Sequence, residues 1–125
     1  MKYKLLTILA LLILTMSFKS EHEVKKCKAT FYNTEGHKKV HREYPTAAYY
    51  DRKYKNMKMV ITNIKNNVTD TVVITDKHAM GKNHVDLSHM AFDRLTKLDT
   101  ISDLRKRSRK RKIIGVIIVH THIIK

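Results

Sequence analysis

Short segments in which apolar and polar residues alternate limit the folds open to this 125-residue chain more than any other feature. Ala29 and Phe31 alternate with Thr30 and Tyr32, and the segment from Met57 to Thr62 alternates in the same way. A period of two is typical of a β-strand that buries one face. Many such short strands, one helical segment and closely spaced turn residues together predict a small all-β barrel.

The segment from Thr71 to Leu95 contains the candidate chemistry. Its first residues, Thr71 to Thr75, are apolar and β-branched, which predicts a buried strand. Asp76 ends this strand, and Asp86 introduces a segment with helical periodicity for which Ser88 is a candidate N-cap. The two carboxylates would thus be held at the ends of regular elements, facing one ligand. The alternative is that Asp76 caps a turn and Asp86 closes the loop before the helix.

The N-terminus has the three-part pattern of a secretory signal peptide. Met1 to Lys4 is basic, Leu5 to Met16 is an apolar run, and the following residues are polar, with a candidate cleavage site after Ser17. The run is shorter than the ~20 residues of a comfortable membrane span. A retained N-terminal anchor is the alternative. We expect residues 1–17 to be removed and a domain over residues 24–125 to be exported, to the periplasm or the cell exterior.

The cysteine and the histidines of this sequence do not indicate a disulfide or a metal site. Cys27 is the only cysteine, so it cannot form an internal disulfide and is predicted to be a small buried residue. His120 and His122 would share one strand face, but the sequence specifies no third metal ligand beside them. We therefore expect no metal and no cofactor.

The charge is strongly basic, with 26 Lys and Arg against 11 Asp and Glu, for a net charge of +15. Such a surface attracts polyanions, and the signal peptide favours an anionic envelope polymer over nucleic acid. The run from Arg105 to Lys112 is predicted to be a solvated, mobile loop, because charges at this density repel one another. Its candidate polyanion-binding residues are Arg105, Lys106, Arg107, Arg109, Lys110, Arg111 and Lys112. The alternative is a solvated face with no partner.

Four segments resemble one known family. The series KATFYN, PTAAYY, MVITNIKNN and VVITDKHAMGKNHVDLSHMAFDRL is similar to the double-psi β-barrel of the rare lipoprotein A proteins, which are bacterial peptidoglycan lytic transglycosylases. The same barrel forms the first domain of expansins. The likeness runs from Lys28 to Leu95, and Ile113 to Ile124 fits the last strand. It implies a mainly β fold, a small six-stranded double-psi β-barrel with one short helix, and a monomer.

The resemblance also implies an activity, non-hydrolytic cleavage of peptidoglycan glycan strands. Asp76 would protonate the leaving glycosidic oxygen and then take the proton of the sugar's 6-hydroxyl, while Asp86 stays ionised. This role for Asp76 requires partial burial beside a second carboxylate. Tyr32, Tyr49 and His78 are the predicted substrate-binding residues, with a buried core role as the alternative for some of the tyrosines.

Departures from the family pattern support a second interpretation. Tyr49 replaces a histidine that is common in the family, and Lys77, His78 and Ala79 replace an Arg-Gly-Pro sequence. The loop between the aspartates is closer in style to expansin-like proteins, which loosen wall polymers without cutting them. A non-catalytic, glycan-binding barrel is therefore the alternative function. A secreted polyanion-binding protein is a further alternative, supported by charge alone.

Overall fold

A computed structural model describes residues 24–33 and 43–124, so the predicted signal peptide lies outside the described residues. Within these ranges no helix has the length and apolarity needed to cross a membrane. The described strands and α-helices, in chain order, are β1 (Lys25–Phe31), β2 (Thr46–Tyr49), β3 (Lys58–Asn63), β4 (Thr69–Lys77), β5 (His84–Leu87), α1 (His89–Leu95), α2 (Leu104–Ile114) and β6 (Ile117–Ile124).

The six strands close into a barrel in the order β1-β5-β2-β4-β3-β6. The pairs β1/β5 and β2/β4 are parallel, and the other four neighbouring pairs are antiparallel. Closure gives each of these six described strands a partner on both sides. The prediction of a small, mainly β, six-stranded double-psi barrel is confirmed.

The barrel interior is filled by the apolar residues that alternate along the strands. Those with no exposed surface are Ala29, Ala47, Met59, Ile61, Val72, Ile74, Val85, Leu87 and Val119. Cys27 belongs to the same core, and its Sγ lies 3.6 Å from Oγ1 of Thr121. Its predicted burial is confirmed.

Helix α1 packs across one end of the barrel and begins where the sequence predicted. The Ser88 side chain accepts a hydrogen bond from the Ala91 backbone N–H at 3.3 Å, which satisfies a free donor of the first turn. At the other end of the helix, the Leu95 carbonyl accepts hydrogen bonds from the side-chain amides of Asn63 and Asn66, at 3.0 and 2.9 Å. The Ser88 side chain also accepts a hydrogen bond from the Thr46 N–H of β2 at 3.0 Å, so both helix ends are tied to the barrel.

Two element boundaries differ from the prediction. Asp86 is the third residue of strand β5 and does not introduce the helix. This strand has only Val85 and Leu87 as buried residues, and it is stabilised by pairing with β1 on one side and β2 on the other. The last strand begins at Ile117, because Ile113 and Ile114 complete α2.

The largest correction concerns the basic run, which is not a mobile loop but most of α2, so the described chain has two α-helices. Asp103 begins this helix by accepting hydrogen bonds from the N–H groups of its first turn. Arg111 forms a buried, two-pronged ion pair with Asp93 of α1. Arg107 donates to the Ile101 carbonyl at 2.9 Å. These contacts oppose the repulsion on which the loop prediction was based.

Candidate functional site

The structure brings Asp76 and Asp86 onto one outward face of the barrel, on either side of β2. Ala48 is the register partner of Asp76 on β4 and also of Asp86 on β5. Adjacent strands are ~4.8 Å apart, so the two aspartate Cα atoms are roughly 10 Å apart. Ala48 lies between them on β2 and is itself buried, with 8% of its surface exposed. A ligand that contacts both carboxylates must therefore be extended and must span the covered strand β2.

A β-bulge sets the direction of Asp76. Ala47 pairs with Ile74 and Ala48 pairs with Asp76, so Thr75 is an extra residue on β4. In a regular strand Asp76, two residues after the inward-facing Ile74, would also point into the core, because side chains alternate along a strand. A bulge re-aims the residues that follow it. The bulge therefore places Asp76 on the same side as Asp86.

Asp76 is exposed at the end of β4, and its Oδ1 accepts a hydrogen bond from the Lys77 N–H at 2.8 Å. The predicted acid–base role requires a partly buried carboxyl group with a second carboxylate beside it. The described geometry provides neither condition, since the side chain is exposed and Asp86 lies two strands away. Asp86 is half-buried.

A chain of hydrogen bonds orients Asp86. The Thr30 hydroxyl donates to Oδ1 of Asp86 at 2.9 Å and lies 2.7 Å from Nε2 of His84. Because a hydroxyl has one proton, Thr30 must accept from the Nε2–H of His84. Burial lowers the pKa of His84, with help from the nearby His78 and Lys28, while Asp86 opposes the shift. The neutral imidazole therefore holds Thr30, which in turn holds Asp86.

The predicted ligand residue His78 fixes the loop between β4 and β5. Its Nδ1 accepts the Met80 N–H at 3.0 Å, and its Nε2 lies 2.8 Å from the His84 carbonyl, to which it must donate. Its backbone N–H also donates to the Tyr49 carbonyl. Both ring nitrogens are engaged with the protein, so this side chain positions the loop beside Asp86.

Tyr32 is half-buried just after the end of β1 and contacts Thr46 of β2. Its hydroxyl is 2.8 Å from Oγ1 of Thr46. Burial raises the pKa of Tyr32; hydrogen bonding with Thr46 and Thr75 lowers it, and the charges of Asp86 and Asp76 raise it further. The charges of both carboxylates thus act on the pKa of this phenol, which could donate a hydrogen bond to the same ligand.

Tyr49 follows the alternative of a core role. It lies two residues after the inward-facing Ala47, and only 2% of its surface is exposed. Its ring packs edge-on against Tyr50, with 4.7 Å between centroids, and Tyr54 packs beside them. The ring offers no face to a ligand in this conformation.

An open groove of about 500 Å³ adjoins the aspartate row at His84. Its lining residues are Lys26, Cys27, Lys28, Met80, Asn83, His84 and Ile118. Lys28 is the register partner of His84 on one side and of Ile118 on the other, so the groove continues around the barrel. Within the described ranges no group of three or more His, Cys, Asp or Glu could hold a metal ion.

Sequence reasoning left Thr30, His84 and the two groove lysines out of the site. Thr30, Lys26 and Lys28 alternate with buried residues along β1, which would have placed them on the outer face. Their partners could not be inferred, because Thr30 and Asp86 are 56 residues apart and meet only through the β1/β5 register.

The seven predicted polyanion-binding residues lie on α2, where the fold gives them two different environments. Arg111 is buried, and Arg107 is half-buried against backbone carbonyls. The other five side chains are exposed.

No protein-family model matches this sequence, and no curated protein matches it. Solved structures are similar in fold. Apo expansin of Clavibacter michiganensis has a TM-score of 0.57 at 18% identity, over 82% of this chain and 51% of the expansin. A mutant of this expansin in complex with cellohexaose has a TM-score of 0.55 at 17% identity, with the same coverage. This chain thus spans about half the length of the expansin.

A papain inhibitor from Streptomyces is comparably similar, with a TM-score of 0.56 at 18% identity over 82% of this chain and 96% of the inhibitor. An expansin and a papain inhibitor therefore share this architecture, and a common fold does not imply a common function. At such identities the likeness establishes one thing: this chain has the barrel fold that the expansin and the papain inhibitor share.

Proposed function

We propose that this barrel is a polysaccharide-binding module that holds a cell-wall glycan across the row formed by Asp76, Ala48 and Asp86. The observation that carries the proposal is the common register of both aspartates with Ala48. Carboxylates accept hydrogen bonds from hydroxyl groups, and such charge-assisted bonds are stronger than neutral ones. Two acceptors roughly 10 Å apart suit an extended ligand that presents many hydroxyls.

The groove beside His84 favours an acidic glycan over a neutral one. Lys26 and Lys28 are exposed and line this groove, next to the hydrogen-bond chain that ends at Asp86. Cellohexaose, which the expansin mutant binds, has no charged group. Peptidoglycan has free carboxylates on its peptides, and on its lactyl groups where the peptides have been removed. A strand whose hydroxyls contact the aspartates could place one of these carboxylates between the two lysines.

Binding to insoluble peptidoglycan sacculi tests the proposal. Asp86→Asn removes the charge that Thr30 and the ligand share, and a charge-assisted hydrogen bond contributes about 1.5–3 kcal/mol. We expect a 10- to 100-fold loss of affinity in a sacculus pull-down. The matched control is Asp99→Asn, an equal charge change at an exposed aspartate of the segment between the helices. Equal binding by the Asp86 variant and wild type would overturn the proposal.

A lysine comparison identifies the glycan class. Lys26→Gln with Lys28→Gln should weaken binding to peptidoglycan and leave binding to cellohexaose unchanged. Equal losses on both ligands would exclude an acidic-glycan preference while leaving the aspartate row intact as a binding site.

Lytic transglycosylation is the second candidate, favoured by the presence of two carboxylates on one outward face of the barrel. Enzymes that cleave glycosidic bonds commonly use such a pair. In this reaction Asp76 protonates the leaving oxygen and then takes the proton of the 6-hydroxyl as that oxygen bonds to the anomeric carbon and closes an anhydro ring, while Asp86 stays ionised. The exposure of Asp76 is the reason for placing binding first. Mass spectrometry of digested sacculi distinguishes the two: anhydro products that vanish with Asp76→Asn support cleavage, and binding without products supports a binding module.

A further inference from the structure

The basic helix α2 contains two kinds of cation. Arg111 is 8% exposed, and its Nε and Nη2 donate to the two carboxylate oxygens of Asp93 at 2.7 and 2.6 Å. Its guanidinium also lies 5.8 Å from the centre of the Phe31 ring. Arg107 donates to the carbonyls of Ile101 and Asp99. These two arginines fasten the helix to the rest of the fold.

The other five cations project into solvent, and they are Arg105, Lys106, Arg109, Lys110 and Lys112. Arg105 and Arg109 are four residues apart, as are Lys106 and Lys110, so each pair is stacked one helical turn apart, a rise of ~6 Å. The helix sequence, LRKRSRKRKII, has no acidic residue among them. The five charges therefore form a positive surface in a fixed arrangement.

We infer that this surface, the exposed face of α2, docks a phosphate-bearing polymer chain. Charge complementarity supports this partner, since a line of regularly spaced cations matches a line of regularly spaced phosphates. The contacts of Arg107 and Arg111 also support the inference, because they hold the helix in place. A helix that is already ordered loses less conformational freedom on binding than a mobile loop would. The aspartate row is a separate site with the opposite charge.

The exposed apolar residues of α2 lie on more than one side of the helix. Leu104, Ile113 and Ile114 are 70%, 84% and 39% exposed. Leu104 and Ile113 are nine residues apart, so at 3.6 residues per turn they lie on opposite sides. Helices that lie in a bilayer surface have their apolar residues on one side. The charges of this helix, and not an apolar face, are therefore what it offers to a partner.

The helix has few of the side chains that read a base sequence. Its residues include no Asn or Gln, which form paired hydrogen bonds with adenine, and no aromatic ring on which a base could stack. Its arginines and lysines can contact guanine as well as phosphate. A polymer of phosphate groups without bases requires only positive charge, which all five exposed cations supply.

Titration of the purified protein with long-chain inorganic polyphosphate tests the inference. For single-stranded polyanions, affinity changes with the logarithm of salt at a slope of about −0.7 per contacted charge. Five contacts predict a slope of about −3.5, equivalent to a loss of about 100-fold between 50 and 200 mM salt. Replacing the five exposed cations of α2 by glutamine should lower affinity at least 30-fold at low salt and flatten this slope.

The matched control removes five exposed lysines elsewhere, by changing Lys53, Lys55, Lys58, Lys65 and Lys82 to glutamine. It has the same net charge as the helix variant and should lose less than threefold in affinity. Equal losses in the two variants would overturn the inference, because net charge alone would then explain binding. Tighter binding to phosphatidylglycerol vesicles or to duplex DNA than to polyphosphate would also overturn it, in favour of a membrane or nucleic-acid surface.

Two further measurements exclude a folding artefact. Circular dichroism should give the same helix content for the helix variant and wild type, and the smaller variant Arg105→Gln with Arg109→Gln should show an intermediate loss of affinity. Asp86→Asn should leave polyphosphate binding unchanged. This last result separates the inference from the proposed glycan function, since either site can fail without the other.

Discussion

The aspartate row and the basic helix reach their charge arrangements in opposite ways. Asp76 and Asp86 are ten residues apart in sequence, and two strands bring them onto one face beside Ala48. The basic residues of α2 are almost consecutive, and the helix separates them into an inner and an outer set. The role of a charged residue in this protein thus depends on whether its strand or helix directs the side chain outward or inward.

The two regions also differ in what their acidic groups do. Asp93 is buried and fully paired with Arg111, so it supports the fold. Asp76 is exposed, and Asp86 is half-buried with a hydrogen bond from Thr30. The three predictions below alter these environments one at a time.

The largest effect should follow loss of the buried pair. Arg111→Ala leaves Asp93 buried without its partner, and such a change costs about 3–5 kcal/mol in the free energy of unfolding. Arg109→Ala, on the exposed side of the same helix, should change it by less than about 0.5 kcal/mol. Urea unfolding followed by circular dichroism measures both.

A double substitution sharpens this comparison. Arg111→Met combined with Asp93→Leu removes both charges and should recover most of the lost stability, because apolar residues of similar size often replace a buried pair well. If Arg111→Ala and Arg109→Ala destabilised the protein equally, the division of α2 into fastening and exposed cations would be wrong.

An intermediate effect is expected in the aspartate row. Thr30→Val keeps the shape of the side chain but removes the hydroxyl that links His84 to Asp86, and one such hydrogen bond contributes about 1 kcal/mol. Affinity for sacculi should fall about fivefold, measured by pull-down. Thr62→Val is the control, since Thr62 pairs with Thr69 on the outer face of β3 and β4. A loss of the same size in the control would contradict an orienting role for Thr30.

The smallest effect concerns pH. Burial and the neighbouring His78 and Lys28 lower the pKa of His84 in the folded protein, so the unfolded chain binds the proton more readily. The contribution of His84 to stability is therefore complete above its unfolded pKa of about 6.5 and is lost as the pH falls through the folded value. His84→Gln should reduce the decrease in urea midpoint between pH 7.5 and pH 5. An unchanged pH dependence would exclude this linkage.

Much of the fold could be predicted from local pattern. The alternation in β1 and β3 and the apolar run in β4 indicated a barrel, because a strand with one apolar face must bury that face. Ser88 was predicted as the N-cap of α1, since an N-cap side chain bonds to the adjacent first turn. Asp76 and Asp86 were chosen from sequence as one site, and the register of β2 places them on one face.

The sequence by itself therefore determined the strands with clear alternation, the start of α1 and the choice of the two aspartates. The tertiary structure alone decided the identity of β5, because a strand with two apolar residues is stable only between two neighbours. It also decided that α2 forms, because Asp93 and the Ile101 carbonyl bind arginines that repel one another locally. Both results depend on contacts between residues distant in sequence, and no local pattern contains them.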